Sequence, residues 1–159
     1  MAKKTETKKA PSATIAQNRR AHHDYEIVQR FEAGIMLTGS EIKSVRDHKV
    51  QLLGSYGRIR QGEVWLMDTH IAPYTNAGYA GHEPMRSRKL LLHKKEIGRI
   101  EQQLGEQGLT LIPLAMYFKR GRAKVELGLA RGLKRYDKRQ RIAERDVQRD
   151  VQRALRRNA

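Results

Sequence analysis

Within residues 18–25, Asn18-Arg19-Arg20 precede His22-His23-Asp24-Tyr25. Guanidinium, amide and imidazole groups can contact phosphate oxygens, and a tyrosine ring can stack on an unpaired base. The competing reading of this stretch is a solvated basic arm. Lys43, Ser44 and Arg46 carry the same two readings on one face of a short helix, since an exposed helix face is commonly just charged. A third cationic group, Lys119-Arg120-Gly121-Arg122, reads as the tip of a hairpin.

Catalytic patterns are missing. The chain has no glycine-rich phosphate loop, no HExxH and no nucleophile elbow. Its six histidines are His22, His23, His48, His70, His82 and His93. None stands at metal-ligand spacing, apart from the adjacent His82-Glu83. His93 could pair with Glu41 in space as acid and base, but each has a simpler role as a helix-start residue and a capping acid. The reading is therefore a non-enzyme with no catalytic residue, no metal and no cofactor.

The elements that position these groups are short. Tyr25 to Leu37 predicts one or two strands, broken near Ala33-Gly34. Thr38-Gly39-Ser40-Glu41 fits a capping box, which opens a helix carrying Ile42 and Val45 on one face and Lys43 and Arg46 on the other. Gly54 to Arg60 and Glu63 to Asp68 form a hairpin around Gln61-Gly62. Thr69 to Arg88 is a long excursion with room for one strand, and a loop of that length is more often functional than idle. Leu90 to Leu92 is a short apolar run, and His93 to Leu104 predicts a helix stopped by Gly105. In Arg122 to Ala130, the residues Ala123, Val125, Leu127 and Leu129 share one face, and this strand pairs with Leu109 to Phe118. About six short strands and two short helices suggest a mainly β, small closed barrel rather than a parallel sheet.

Charge is distributed unevenly. The formal net charge is +16, of which residues 1–23 supply +5, residues 24–130 +4 and residues 131–159 +7. A modestly charged core between two basic ends suits a polyanion, whose displaced counterions would make binding steeply salt-dependent. No apolar run approaches a membrane span, and the N-terminus lacks a secretory apolar region. There is no cysteine, which suits a reducing cytosol. Asp137 to Arg157 has helical spacing at Val147, Val151, Ala154 and Leu155, with Ile142 out of phase. So narrow a stripe makes an isolated helix marginal in water. The segment 131–159 is accordingly expected to be disordered when free and to fold on its partner.

Several long motifs occur in order from about Ser12 to the C-terminus. They are Ala13-Thr14-Ile15-Ala16-Gln17-Asn18-Arg19-Arg20-Ala21 with Tyr25-Glu26-Ile27, then Phe31-Glu32-Ala33-Gly34-Ile35, then Gly39-Ser40-Glu41-Ile42-Lys43-Ser44-Val45-Arg46. Arg88-Lys89-Leu90-Leu91-Leu92-His93 and Gly132 through Asp137-Lys138-Arg139 complete the set. Together they resemble the SmpB family of SsrA-binding proteins of bacterial ribosome rescue. The resemblance implies an oligonucleotide-binding-like β-barrel with two or three short helices and a basic C-terminal tail. It implies a basic N-terminal arm over 1–23, the barrel over 24–130, and a tail over 131–159 that becomes helical on the ribosome.

The resemblance also implies a cytoplasmic, non-catalytic adaptor, working as a monomer without a membrane. It would bind the tRNA-like domain of transfer-messenger RNA (SsrA) and deliver it, with elongation factor Tu and GTP acting through that RNA, to stalled ribosomes. The tail would probe the empty messenger channel near the small-subunit decoding centre. The family's RNA face falls on Asn18, Arg19, His23, Glu32, Gly34, Glu41, Lys43, Ser44, Arg46, Leu91 and His93, beside which Arg20 and Tyr25 come from the arm itself. For three of these a structural reading competes: Leu91 as core, Gly34 as a backbone requirement, Glu41 as a helix cap only. In the tail the matching positions are Gly132, Lys134, Arg135, Tyr136, Asp137, Lys138 and Arg139. Leu133 and Tyr136 stand where many relatives have a basic residue and a histidine, so stacking is retained there without imidazole charge. Two alternatives remain open: a generic ribosome- or tRNA-binding module of the same fold, and an RNA-processing enzyme using His93 and Glu41.

Overall fold

The computed structural model describes residues 14–74, 81–133 and 135–157, with Arg135, Tyr136, Asp137 and Lys138 described by their backbone alone. In chain order the elements are β1 (Thr14–Gln17), α1 (Ala21–Asp24), β2 (Tyr25–Ile35), α2 (Gly39–Arg46), β3 (Val50–Gln51), β4 (Tyr56–Arg60), β5 (Glu63–Met67), β6 (His70–Ile71), β7 (Arg88–Leu91), α3 (Lys94–Gln107), β8 (Thr110–Lys119), β9 (Arg122–Gly132) and α4 (Arg135–Arg157).

Six strands close into a ring in the order β8, β4, β5, β7, β2, β9, with β9 returning to β8. All these pairings are antiparallel. The alternation along β9 explains its register: Val125, Leu127 and Leu129 point inward and are fully buried, beside Phe31 and Ala33 of the neighbouring β2 and in one core with Val64, Leu66 and Leu90. The ring closes between β4 and β8 at the register pair Gly57 and Leu111. A Cβ at Gly57 would lie 2.5 Å from Leu111 Cδ2, so only glycine permits this approach.

Several expectations shift. Residues 14–23 belong to the fold rather than to an arm. β1 pairs with β8, Ile15 enters the core, and Ala21 is buried. A four-residue strand flanked by polar residues carries too little periodicity to announce itself. Residues 1–13 lie outside the described residues.

β2 runs unbroken through Ala33-Gly34, because β9 and β7 pair with it on both edges there. α3 passes through Gly105 and ends instead at Gly108, in the left-handed conformation (φ 60°). Outside the tail the described residues form three helices, α1, α2 and α3, as expected, and the tail carries the fourth, α4, which at 23 residues is the longest. Among the described residues no helix is long and apolar enough to cross a membrane.

Candidate nucleic-acid interface

β2 is the ruler of the site. Tyr25 opens the strand and Gly34 lies nine positions on, roughly 30 Å away at strand rise. The residues singled out in the sequence collect at its two ends.

At the first end, the β1–α1 turn is fixed by Asn18. Its backbone N–H donates to Leu114 O at 2.8 Å and its side-chain Nδ2 to Pro113 O at 3.1 Å. Asn18 is only 8% exposed, so it orients the turn more than it reaches out. Arg19 and Arg20 project into solvent from that turn, and His23 lies exposed beside Asp24, with Nδ1 and Oδ1 at 2.9 Å. The tail departs from here. Gly132 pairs with Tyr25, Leu133 N–H donates to Asp24 O at 3.0 Å, and Arg141 of α4 donates to Tyr25 O at 3.4 Å. Burial lowers the pKa of His22, and the nearby Arg30 and, more weakly, Arg145 of α4 lower it further against the opposing pull of Glu126. Cations of the tail and of the barrel therefore share this end.

At the second end, Glu32 and Gly34 face outward on β2. Gly34 stands opposite Lys124 of β9 and Leu91 of β7. The space above Gly34 is filled by Leu91: a Cβ on the glycine would meet Leu91 Cβ at 3.2 Å. Leu91 itself is 50% exposed, which makes it surface and not core. Glu32 accepts from the Tyr117 hydroxyl and from Lys119 Nζ, the latter at 3.2 and 3.4 Å to its two oxygens. The Tyr117 hydrogen bond leads the causes that hold the Glu32 carboxyl below the usual range, against burial, with Lys119 assisting. Burial, then Glu32, pushes the Tyr117 hydroxyl above its ordinary value.

α2 presents Lys43 and Arg46 outward, as its sequence predicts, after a complete capping box at Thr38 and Glu41. Glu41 and Ser44, placed on the RNA face by resemblance, are fully buried and offer nothing to an outside ligand. Glu41 is enclosed by the excursion after β6, which folds back on two consecutive residues of the helix, Ser40 and Glu41. His82 Nδ1 meets Ser40 Oγ at 2.8 Å. Arg86 donates to Glu41 Oε1 at 2.5 Å, and Arg88 to Glu41 Oε2. Lys43 Nζ lies 5.3 Å from the centroid of the Tyr74 ring. Burial opposes the charge on Glu41, but the Arg86 bond, the Thr38 N–H and Arg88 outweigh it and lower its pKa to about 2. Both Glu41 oxygens are thus committed. No described contact joins Glu41 to His93, which stands exposed as the N-cap of α3.

In the tail, Arg139 is exposed, and the backbone of Arg135, Tyr136, Asp137 and Lys138 is helical; Lys134 lies outside the described residues. At 100° per residue the Lys and Arg side of α4 spans less than half the circumference. Val147, Val151 and Leu155 form a separate stripe, 61%, 53% and 66% exposed.

Reading the sequence alone missed Arg86, Arg88, Tyr117 and Lys124. Lys124 was legible as an outward residue of a strand. Tyr117 was not, because its partner lies 85 residues away.

A family model described as SmpB protein matches residues 15–157. The chain is 59% identical over 124 residues to an SsrA-binding protein of Roseiflexus castenholzii, covering 77% of this chain and 78% of that one. It is 53% identical over 136 residues to an SsrA-binding protein of Syntrophobacter fumaroxidans, covering 82% and 84%. Among solved structures, a chain described under "tmRNA-SmpB: a journey to the center of the bacterial ribosome" superposes with a TM-score of 0.64 at 50% identity, covering 80% of this chain and 93% of that one.

Proposed function

The chain belongs to the SmpB family, and from that premise we propose that it is a cytoplasmic RNA-binding adaptor, not a catalyst, that binds the tRNA-like domain of transfer-messenger RNA and brings it to stalled ribosomes for trans-translation. One observation carries the reading: a closed ring of strands, with exposed donors at both ends of β2 and the exposed Leu91 at the second, is joined at the first end to an exposed basic helix. The ring offers shape and a few directed groups, which suits a folded RNA elbow. The helix offers charge in one stripe and apolar surface in another, which suits a groove of ribosomal RNA and protein.

The division of labour is that the ring selects the RNA and α4 probes the empty messenger channel near the decoding centre. Tail residues Gly132, Lys134, Arg135, Tyr136, Asp137, Lys138 and Arg139 would act there, and α4 would gain its stability by docking. Arg19, Arg20, His23, Lys43, Arg46, Leu91 and His93 are exposed and available to RNA. Asn18, Gly34, Glu41 and Ser44 serve the surface from beneath. Elongation factor Tu with GTP would engage through the RNA.

Deleting residues 133–159 tests this. Binding of the tRNA-like RNA persists and peptide tagging on stalled ribosomes is lost if the reading holds. Loss of RNA affinity with the tail would overturn it.

A further inference from the structure

Glu32 is an anion on a surface meant for a polyanion, and the way it is held says what it is for. Resting on the function proposed above, we infer that Glu32 reads the Watson–Crick edge of one unpaired guanine in the bound RNA, and that Tyr117 is its positioning residue.

The geometry begins with Tyr117. Tyr117 is 5% exposed, and its hydroxyl donates to Glu32 Oε2. The carboxylate is anchored from its protein side and cannot turn away. Its solvent side is marked by Lys119, whose Nζ straddles the two oxygens at 3.2 and 3.4 Å. Lys119 and Glu32 side chains are 49% and 40% exposed, so this pair is a surface contact of little strength. A ligand with two adjacent donors can displace the ammonium, which is then released toward the phosphates of that ligand.

Two parallel N–H groups on a planar edge are what a fixed carboxylate fork accepts. Guanine supplies them as N1–H and the N2 amine. Adenine and cytosine place an acceptor next to their single amine, and uracil flanks its one N–H with carbonyls. Each of these edges would set an oxygen or nitrogen lone pair against the carboxylate. A ribose hydroxyl has one donor and leaves half of the fork unfilled. Leu91, seated over Gly34 two residues along β2, offers an apolar surface beside the fork for the base plane. Lys124, opposite Gly34, supplies a cation for the flanking backbone.

The test uses the full chain with the tRNA-like RNA and kethoxal, which modifies N1 and N2 of accessible guanines. The unaltered protein should protect at least one unpaired guanine. Glu32→Gln, which keeps the shape and replaces one acceptor with a donor, should abolish that protection and weaken binding by about fivefold to a hundredfold. Inosine at the protected position, lacking the N2 amine, should weaken the unaltered chain and have little effect on Glu32→Gln. Tyr117→Phe should reduce protection at the same guanine while other protected nucleotides stay protected, an effect that general loosening of the fold would not produce. Tight binding with no guanine whose protection depends on Glu32 overturns the guanine reading alone. Failure of the unaltered chain to bind this RNA overturns the function reading and the guanine reading together.

Discussion

Arg88 and Glu41, 47 residues apart in the chain, form an ion pair from which solvent is wholly excluded on both sides. Arg88 also donates to Thr69 O at 2.8 Å and to Pro84 O at 3.1 Å, so one guanidinium ties α2, the strand-β6 approach and the end of the excursion together. Burial lowers the Arg88 pKa, and the Glu41 hydrogen bond and charge raise it back in part. This pair explains why the outer face of α2 is available: its inner residues are consumed in holding the excursion.

Breaking the pair from one side leaves a buried charge without its partner. Arg88→Met or Glu41→Gln should each destabilise the fold by about 3–5 kcal/mol in urea denaturation. Replacing both, Glu41→Leu with Arg88→Met, should cost less than the sum of the two single changes, and the double-mutant cycle measures this coupling directly. Additive losses would show that the two residues act independently.

The same pair sets an acid limit. Glu41 has its carboxyl lowered from 4.5 to about 2 in the folded chain. A depressed carboxylate contributes stability that is fully present above its unfolded value and is lost as pH falls through the folded one. The contribution, on the order of 3 kcal/mol, should therefore disappear between about pH 4.5 and pH 2. In Glu41→Gln that part of the acid transition should be missing when denaturant midpoints are compared across this window.

At the seam of the ring, Gly57→Ala places a methyl 2.5 Å from Leu111 Cδ2 and 2.7 Å from its Cγ. The leucine is fully buried and has nowhere to yield without moving the core. A loss of about 1–3 kcal/mol is expected. Leu111→Ala in the Gly57→Ala background should relieve the clash, and a thermal melt of the three variants would show it.

The apolar stripe of α4 should matter for function and not for the stability of the ring. Val151→Glu with Leu155→Glu, both more than half exposed, should change the unfolding free energy of the ring by less than about 0.5 kcal/mol. Binding of the isolated tRNA-like RNA should also be unchanged, while tagging on stalled ribosomes falls. A tagging rate equal to that of the unaltered chain would remove the stripe from the docking surface.

RNA affinity should fall linearly with salt on logarithmic axes. Arg46→Ala should reduce that slope by about one if Arg46 contacts a phosphate, and a parallel titration of the two proteins tests it. An unchanged slope would make Arg46 an ordinary solvated cation.

Elements whose signals are local follow directly from residue order. The Thr38–Glu41 capping box, the Gln61-Gly62 hairpin and the inward row Val125, Leu127, Leu129 need only neighbours three or fewer residues away, and each is present as read. The ordered motifs likewise determined the family, because several long matches in register do not arise from composition.

Tertiary structure alone decided which polar residues face the ligand. Glu41 and Ser44 share a helix with Lys43 and Arg46, yet the first two are buried, Glu41 against Arg86 and Arg88 of a distant segment, and the second two lie outside. Glu32 becomes a fixed acceptor only through Tyr117, 85 residues on. Local spacing assigns a side chain to a face of its own element. Which face is covered, and by what, depends on contacts between distant segments, whose closure is governed by the packing of the whole ring.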